Sequence, residues 1–241
     1  MNKIFLLILS VVFLLSGSLL SAKVYKAAIS ELPVTPIYIN LLKNIAQVTD
    51  NSFDIQVVPT ARGIYLVESA QVDLFCPGTL IKDVKKLAEQ KSDFMTSSVG
   101  TSVYVLYTNK SKPLDIESLR KGNTKKYKIE TNTNVAEILN FTVLPTSNLE
   151  ASLQKVSNGV IDGFILPQIS GDQLLKKLDL KNIKRELYSK ETIAFRIQKG
   201  QKGGELDKVL TDGINKLKAS KKYDEIMANI IKQAEYIEWQ P

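Results

Sequence analysis

The stretch DIQVVPTARGIYLVESAQVDLFCP, residues 54–77, decides the fold of this chain. It contains two short runs of β-branched and apolar residues, 54–58 and 72–76, each followed by a proline. Apolar residues recur between them at roughly helical spacing, so the stretch predicts a strand, a helix with Thr60 as N-cap, and a second strand. Such connections between parallel strands are nearly always right-handed and leave a crevice at the carboxyl end of the first strand.

Arg62 falls in the first turn of this predicted helix and should lie at the crevice. There the free N–H groups of the helix start and the guanidinium fork would together suit a carboxylate or another anion. The alternative is a solvent-exposed arginine that pairs with Glu68 or Asp73. The sequence leaves both interpretations open, and Arg62 is our candidate anion clamp.

Composition limits the functional classes. The chain has 241 residues, 44% hydrophobic and 24% charged, enough for a sizeable core in one large or two small domains. Its formal charge of +7 is spread along the chain, which favours anionic ligands only weakly. The lack of histidine removes the commonest general base and metal ligand. We therefore expect a protein without catalytic residues, metal or cofactor.

The first 22 residues predict a secretory signal. One positive charge is followed by an apolar run, 4–15, and then by small residues. Cleavage after Ala22 or Ser18 would release a protein that we expect in a periplasm, as a monomer without a nucleic-acid partner. An uncleaved anchor is the alternative, although the apolar run is short for a membrane span. The single cysteine, Cys76, is expected to be a buried thiol and cannot form an internal disulfide.

Strands and helices alternate along the rest of the chain, which predicts an α/β fold. In the first half we predict a strand at 24–30, a helix at 36–49, a helix at 80–90 with Ile81, Val84 and Leu87 facing inward, and a long strand at 101–108. In the second half we predict strands at 126–130, 141–145, 161–167 and 192–197, an edge-type strand at 183–187, helices from 135, 149 and 170, and two closing amphipathic helices.

A local pattern recurs in the two halves. VDLFCP at 72–77 and IDGFILP at 161–167 each follow a helix and a tight turn, and each contains Asp, one residue and Phe before a final proline. We expect the two aspartates to be structural and the two phenylalanines to be core residues. The recurrence about 90 residues along the chain predicts two similar α/β lobes rather than one continuous sheet.

The predicted crossing strands between these lobes are 103–108 and 192–197, since they bracket the second half. The predicted division is a signal peptide at 1–22, lobe 1 at 23–107 and 192–241, and lobe 2 at 108–191.

The chain resembles the family 3 solute-binding proteins of bacterial ABC transport. The resemblance is carried by VVPTARGIYLVESAQVDLFCP, by KVSNGVIDGFILP and by the tail ETIAFRIQKGQKGGELDKVLTDGINKLKASKKYDEIM, and in order and spacing it covers 23–232. It implies a type II periplasmic-binding fold, in which each of two lobes is a doubly wound sheet and two crossover strands join them. It also implies capture of a small polar, anionic or amino-acid-like ligand in an inter-lobe cleft and delivery to ABC transporter membrane subunits.

Two departures indicate a divergent branch. Amino-acid binders of this family hold the ligand carboxylate with an arginine between the third strand and the first crossover, where residues 81–94 of this chain offer only lysines. Lysine is a point charge and does not replace a bidentate fork. The family also places an acidic residue in lobe 2 to hold the ligand ammonium. In this chain the corresponding positions are Pro167 and Gln168, so that acidic residue is missing.

The candidate ligand-binding residues lie at the predicted strand ends and helix starts. They are Glu31, Thr60, Arg62, Gly78, Thr79, Ser97 and Ser98 in lobe 1, and Thr133, Asn134 and Gln168 in lobe 2. For each Ser, Thr and Asn the alternative is capping or turn formation. Two other functions stay open. One is an exported enzyme of dehydratase-like or lytic type, for which Glu31 and scattered lysines are the acid–base candidates. The other is a sensor that reports ligand occupancy to a membrane partner.

Overall fold

The computed structural model describes residues 22–122 and 127–238. The predicted signal, except for Ala22, lies outside these described residues, as does the first residue of the strand predicted at 126–130. Both predicted cleavage sites therefore stay predictions. Within the two described ranges, no helix combines the length and the apolar character needed to cross a bilayer.

Strands and helices alternate through the described part of the chain, as predicted. The strands are β1 (Val24–Ser30), β2 (Ser52–Val58), β3 (Leu74–Thr79), β4 (Ser92–Phe94), β5 (Gly100–Asn109), β6 (Ile129–Thr131), β7 (Leu144–Pro145), β8 (Gly163–Pro167) and β9 (Ile183–Gln198). The helices are α1 (Thr35–Thr49), α2 (Thr60–Glu68), α3 (Val84–Glu89), α4 (Ile116–Arg120), α5 (Thr133–Ala136), α6 (Leu149–Ser157), α7 (Gln168–Leu178), α8 (Glu205–Ala219) and α9 (Lys222–Lys232).

Two groups of parallel strands are joined by a pair of long antiparallel strands. β1 lies between β2 and β3, and β6 lies between β7 and β8. β5 and β9 pair from Gly100 opposite Ile193 to Asn109 opposite Ile183. The resulting order is β2-β1-β3-β9-β5-β8-β6-β7, with β4 paired to β9. The strand network is thus continuous, because the crossing strands hydrogen-bond to both parallel groups.

Each parallel group has its own apolar core, and these cores define two lobes. Lobe 1 contains β1–β4, α1–α3, α8 and α9, with one cluster around Ile29 and Phe195 and another around Phe75 beneath α2. Lobe 2 contains β6–β8 and α4–α7, with clusters around Phe164 and Ile165 on opposite sheet faces. Apolar burial is the main stabilising contribution in each. The predicted two-lobed α/β architecture with two crossovers is confirmed, but the expectation that the lobes would not share one continuous sheet is wrong, because the crossing strands pair with both parallel groups.

The predicted lobe boundaries fall inside the crossing strands. Positions 107 and 108 lie in β5, and positions 191 and 192 lie in β9. Since both strands serve both lobes, the boundaries stay predictions.

α3 differs from the helix predicted at 80–90. It has no buried residue: Val84 is 78% exposed and Leu87 also lies at the surface. Ile81 is buried, but it precedes the helix. The side chain of Asp83 caps α3 by accepting hydrogen bonds from the N–H groups of Lys85 and Lys86. The prediction that Val84 and Leu87 face inward is therefore wrong, because a short capped helix on the surface needs no apolar face.

β9 merges two predicted strands into one of 16 residues. The edge-type strand predicted at 183–187 is confirmed, because this part of β9 pairs on one side only, with β5. The rest of β9 pairs with β3, β4 and β5, so the strand predicted at 192–197 is its continuation rather than a separate strand. The polar residues 188–191 predicted a break between two strands. In the structure β9 continues through them as it passes from lobe 2 to lobe 1.

The repeated Asp-x-Phe pattern has the same role in both lobes. Asp73 accepts a hydrogen bond from the N–H of Lys26 at 2.7 Å, and Asp162 accepts one from the N–H of Lys128 at 2.7 Å. Each carboxylate thus holds the start of the neighbouring parallel strand, and the phenylalanine two positions later is fully buried. The expectation of structural aspartates and core phenylalanines is confirmed.

Candidate ligand cleft

A cleft lies between the lobes, where the parallel strands of both lobes end. Its volume is about 140 Å³. It is lined by Glu31, Leu32, Pro59 and Thr60 from lobe 1 and by Asn132, Thr146, Ser147 and Leu149 from lobe 2. The carboxyl ends of parallel strands form a common edge in open α/β sheets, and ligands of such folds bind at this edge.

A second cavity of about 410 Å³ lies elsewhere in lobe 2, beside the C-terminal segment. Ile183, at the start of β9, is one of its lining residues. Ile183 pairs with Asn109, the last residue of β5. The preceding residue of β5, Thr108, pairs with Gly163, the first residue of β8. This cavity is therefore at the amino ends of the lobe 2 strands, opposite to the cleft.

The floor of the cleft in lobe 1 is held by hydroxyl groups. Thr60 is the first residue of α2, whose N-cap is Pro59. The prediction that Thr60 caps the helix is wrong, because its hydroxyl bonds to the hydroxyl of Ser30 at the end of β1. Thr35 holds the following loop, since its hydroxyl accepts from the N–H of Leu32 at 2.8 Å and donates to the Ser30 carbonyl at 2.7 Å. This loop places Glu31, which is exposed, on the cleft wall.

Arg62 lies in the first turn of α2, as predicted, but its side chain is exposed and does not line the cleft. Its guanidinium carbon is 5.1 Å from the centre of the Tyr65 ring, a cation–π contact along the helix surface. Its role as an anion clamp stays a prediction.

Thr79 and Asn134 join the lobes through buried hydrogen bonds. The N–H of Thr79 donates to Asn134 Oδ1 at 3.3 Å, and Asn134 Nδ2 donates to the Thr79 hydroxyl at 3.0 Å. The same hydroxyl lies 2.6 Å from the hydroxyl of Tyr104 on β5. Burial raises the pKa of Tyr104, so its hydroxyl stays protonated. Because Thr79 ends β3 and Asn134 belongs to α5, the structure is a closed form.

An ion pair crosses between the lobes in the same region. Arg196, on the lobe 1 part of β9, is fully buried, and its Nη2 bonds to the carboxylate of Glu137, just after α5. Its Nη1 donates to Gln90 Oε1 at 3.1 Å, and its guanidinium lies 4.9 Å from the centre of the Phe94 ring. Burial raises the pKa of Glu137, and the charge of Arg196 opposes that rise.

Gly78 makes room for the arginine. A Cβ atom at this position would lie 2.9 Å from Arg196 Cγ and 3.0 Å from the Ala194 carbonyl oxygen. Gly78 is buried within β3, so its contribution is to let the Arg196 side chain pass.

Three other predicted residues lie outside the lining of the cleft. Ser97 is half-buried and Ser98 is exposed, both on the loop between β4 and β5, and Thr133 is half-buried at the start of α5. In this closed form, none of the three is among the residues that line the cleft.

Gln168 is engaged elsewhere. It is buried at the start of α7, where Nε2 donates to the Glu235 carbonyl at 3.1 Å and Oε1 accepts from the N–H of Ile237 at 2.9 Å. Oε1 also accepts from Arg185. This corrects the expectation of a ligand-binding role at a strand end, because the amide holds the C-terminal segment instead.

Sequence reasoning missed several residues at the lobe interface. Asn132 belongs to the polar turn before α5 and could have been found from it, whereas Thr146 and Ser147 follow a strand too short to show periodicity. The signal for Arg196 was a lone charge inside an apolar strand. Nothing in the local sequence distinguishes Glu137 from a surface glutamate.

The described residues contain no group of three or more His, Cys, Asp or Glu side chains arranged to hold a metal ion. Cys76 is fully buried, and burial raises the pKa of its thiol, which makes it a core residue.

No protein-family model and no curated protein sequence matches this chain. Solved structures match it over most of its length. A histidine kinase sensor domain with similarity to periplasmic binding proteins has a TM-score of 0.68 at 14% identity, covering 85% of this chain and 94% of its own. The substrate-binding protein of an amino acid ABC transporter has a TM-score of 0.66 at 17% identity, covering 87% and 100%.

A third similar structure is an ancestral amino acid-binding protein, a precursor of cyclohexadienyl dehydratase. Its TM-score is 0.62 at 17% identity, covering 85% of this chain and 93% of its own. At such identities the likeness defines the fold alone. The chain has a two-lobed α/β fold with a cleft between the lobes. More narrowly, this is the type II periplasmic-binding-protein fold.

Proposed function

We propose that this chain is a solute-binding protein that captures a small polar ligand between its lobes and delivers it to the membrane subunits of an ABC transporter. The observation that carries the proposal is the cleft, which both lobes line at the carboxyl ends of their parallel strands. Similarity to the substrate-binding protein of an amino acid ABC transporter supports it. Export directed by the predicted signal peptide, followed by its cleavage, would place the protein in a periplasm.

The lining of the cleft supports a ligand that is small and hydrogen-bonded. Thr60, Asn132, Thr146 and Ser147 supply hydroxyl and amide groups from both lobes. A volume of about 140 Å³ is below the range of about 300–1,000 Å³ that drug-sized ligands need. Closure around the crossing strands would remove such a ligand from water.

A thermal-shift screen of the chain from residue 23 tests this proposal. The compounds are the amino acids, small organic acids, short peptides and polyamines. A cleft binder gains stability from its ligand by mass action, so we expect at least one compound to raise the melting temperature. Thr60→Val and Ser147→Ala should weaken a confirmed compound, whereas Ser111→Ala, beyond the far end of β5, should not. Unchanged melting with every compound would contradict a binding function for this set of ligands.

A sensory role is the second candidate, and similarity to a histidine kinase sensor domain favours it. It would use the same cleft, but its partner would be a separate membrane receptor. Deletion of the gene separates the two roles. Loss of ligand uptake supports transport, whereas intact uptake with a lost transcriptional response supports sensing.

An exported enzyme is the third candidate, supported only by the similarity to a dehydratase precursor. Among the residues lining the cleft, Glu31 is the single carboxylate. Acid–base catalysis needs a positioned acid and base, and this lining offers no second titratable group. Turnover of a compound from the screen would favour the enzyme.

A further inference from the structure

Building on the proposed binding function, we propose that Arg196 is the anion-binding residue of this site, that its ligand carries a carboxylate, and that Glu137 occupies the guanidinium in the ligand-free closed form.

The first support is the division of the ion pair between the lobes. Arg196 is held in lobe 1, where its side chain passes over Gly78 and lies against Phe94. Glu137 belongs to lobe 2, directly after α5. When the lobes separate, the guanidinium therefore keeps its position while its carboxylate leaves. A buried charge without a partner is costly, so an open form favours binding of another carboxylate.

The second support is the unused hydrogen-bonding capacity of the guanidinium. Arg196 is fully buried, and its Nε has no hydrogen-bond partner. Nη1 is taken by Gln90 and Nη2 by Glu137. A free carboxylate can bond to Nε and Nη2 together, in the bidentate geometry that arginine favours. The Glu137 carboxylate leaves Nε unpaired, so a ligand carboxylate can make one more hydrogen bond to the guanidinium than Glu137 does.

The third support is the position of α5. This helix has four residues, with Asn132 of the cleft at one end and Glu137 at the other. At about 1.5 Å per residue it spans roughly 6 Å. Movement of this short helix would therefore join the cleft to the space beside Arg196. A ligand could then place its carboxylate there and its polar end near Thr60.

A second cation, Lys86, lies beside the ion pair. Lys86 donates to the carbonyl groups of Glu137 and Leu139 from the lobe 1 side. Burial raises the pKa of Glu137, the charge of Arg196 opposes this rise, and the charge of Glu68 adds to it.

The test is isothermal titration with four probes: L-glutamate and succinate, which carry carboxylates, and agmatine and putrescine, which do not. The variants are Glu137→Gln, which removes the competing charge but keeps the shape, and Arg196→Lys, which keeps the charge but loses the fork. Glu117→Gln is the matched control, because Glu117 pairs with Arg120 within α4, away from the cleft.

We expect a carboxylate probe to bind. Its affinity should rise about tenfold or more in Glu137→Gln, fall about tenfold or more in Arg196→Lys, and change less than twofold in Glu117→Gln. Circular dichroism verifies folding. If Arg196→Lys fails to fold, the Glu137→Gln result decides, since Glu137 is partly exposed and its amide is isosteric.

Two results would overturn the inference while leaving the binding function intact. One is a carboxylate probe whose affinity is unchanged in Glu137→Gln. The other is binding of agmatine or putrescine in preference to both carboxylates. Binding of none of the four to any folded variant also rejects the inference. The proposed function is then judged separately, by the wider thermal-shift screen.

Discussion

Two arginines take different positions around the cleft, although the sequence pointed to one. Arg62 is exposed on α2 and rests on Tyr65. Arg196 is fully buried and paired across the lobes. Salt screens an exposed charge but affects a buried pair much less. The two residues can therefore be distinguished by the salt dependence of their contributions.

Arg62→Ala should weaken an anionic ligand only modestly. An exposed charge contributes about 0.2–1 kcal/mol, so we expect up to a roughly fivefold loss of affinity at low ionic strength. The loss should disappear near 1 M salt, where the screening length is about 3 Å. Titration calorimetry at both salt concentrations measures it. A larger loss that persists in salt would instead make Arg62 a direct ligand contact.

Gly78→Ala should displace Arg196. The added Cβ would lie 2.9 Å from Arg196 Cγ, and the backbone carbonyl of Ala194 leaves little room on the other side. Overpacking of this kind costs about 1–3 kcal/mol. Urea denaturation measures the free energy of unfolding, with Ser98→Ala on an exposed loop as the control. An unchanged free energy of unfolding would show that the strand adjusts without cost.

At the scale of elements, the C-terminal segment forms a connection between the lobes besides the two crossing strands. α9 packs in lobe 1, yet the residues after it bind to lobe 2. Tyr236 donates to the Arg185 carbonyl at 3.2 Å, and Arg185 Nη1 donates to the Ile237 carbonyl at 3.0 Å. Arg185 also pairs with Asp172 of α7 at 2.7 Å. Because it contacts both lobes, we expect this segment to limit how far they separate.

Removal of residues 233–241 should destabilise lobe 2. The truncation removes the carbonyl groups to which Gln168 Nε2 and Arg185 Nη1 donate, while Arg185 keeps its bonds to Asp172 and Gln168. Each lost buried hydrogen bond costs about 1–3 kcal/mol, so we expect a total loss of roughly 2–6 kcal/mol. Thermal and urea denaturation measure it. Removal of residues 239–241 alone is the control, and equal stability of the two truncated proteins would contradict the role of the segment.

Asp172 should make stability depend on pH. Burial raises its pKa from 3.8 to about 6, and Arg185 only partly opposes this. The folded protein therefore binds a proton that the unfolded chain releases, so the free energy of unfolding falls as pH rises from about 4 to about 6. The contribution is at most about 3 kcal/mol. Urea denaturation at pH 4.5, 5.5 and 7 should show this slope.

The matched variants for this slope are Asp172→Asn and Asp179→Asn. Asp172→Asn should lose it, whereas Asp179→Asn should retain it, because Asp179 is largely exposed. The same slope in Asp172→Asn as in the unmodified protein would assign it to another group.

At the scale of the whole molecule, the lobes are closed on each other by their own side chains. Asn134 contributes two hydrogen bonds to Thr79 across the interface. Asn134→Ala leaves the Thr79 N–H without this partner, at a cost of about 1–3 kcal/mol, which shifts the balance between closed and open forms by roughly 5- to 150-fold. We expect a larger radius of gyration by small-angle scattering, reversed by a bound ligand. An unchanged radius would indicate that other contacts suffice for closure.

The sequence by itself determined most of the order of strands and helices, though not β4 or α4, together with the two-lobed α/β fold and the structural role of the repeated Asp-x-Phe pattern. Period-2 and period-3.6 patterns record which face of an element is buried, and the repeat revealed that the arrangement occurs twice. Residues at the ends of β1 and β2, Glu31 and Thr60, were found because strand ends follow directly from strand positions.

Only the tertiary structure decided the contacts between the lobes. Arg196 and Glu137 are separated by 59 residues, and Thr79 and Asn134 by 55. Local pattern shows that a side chain is buried but not which distant group covers it, because that depends on the angle between lobes. The same reason explains why Gln168 binds the C-terminal segment and why α3 needs no apolar face: each depends on what the folded chain places beside it.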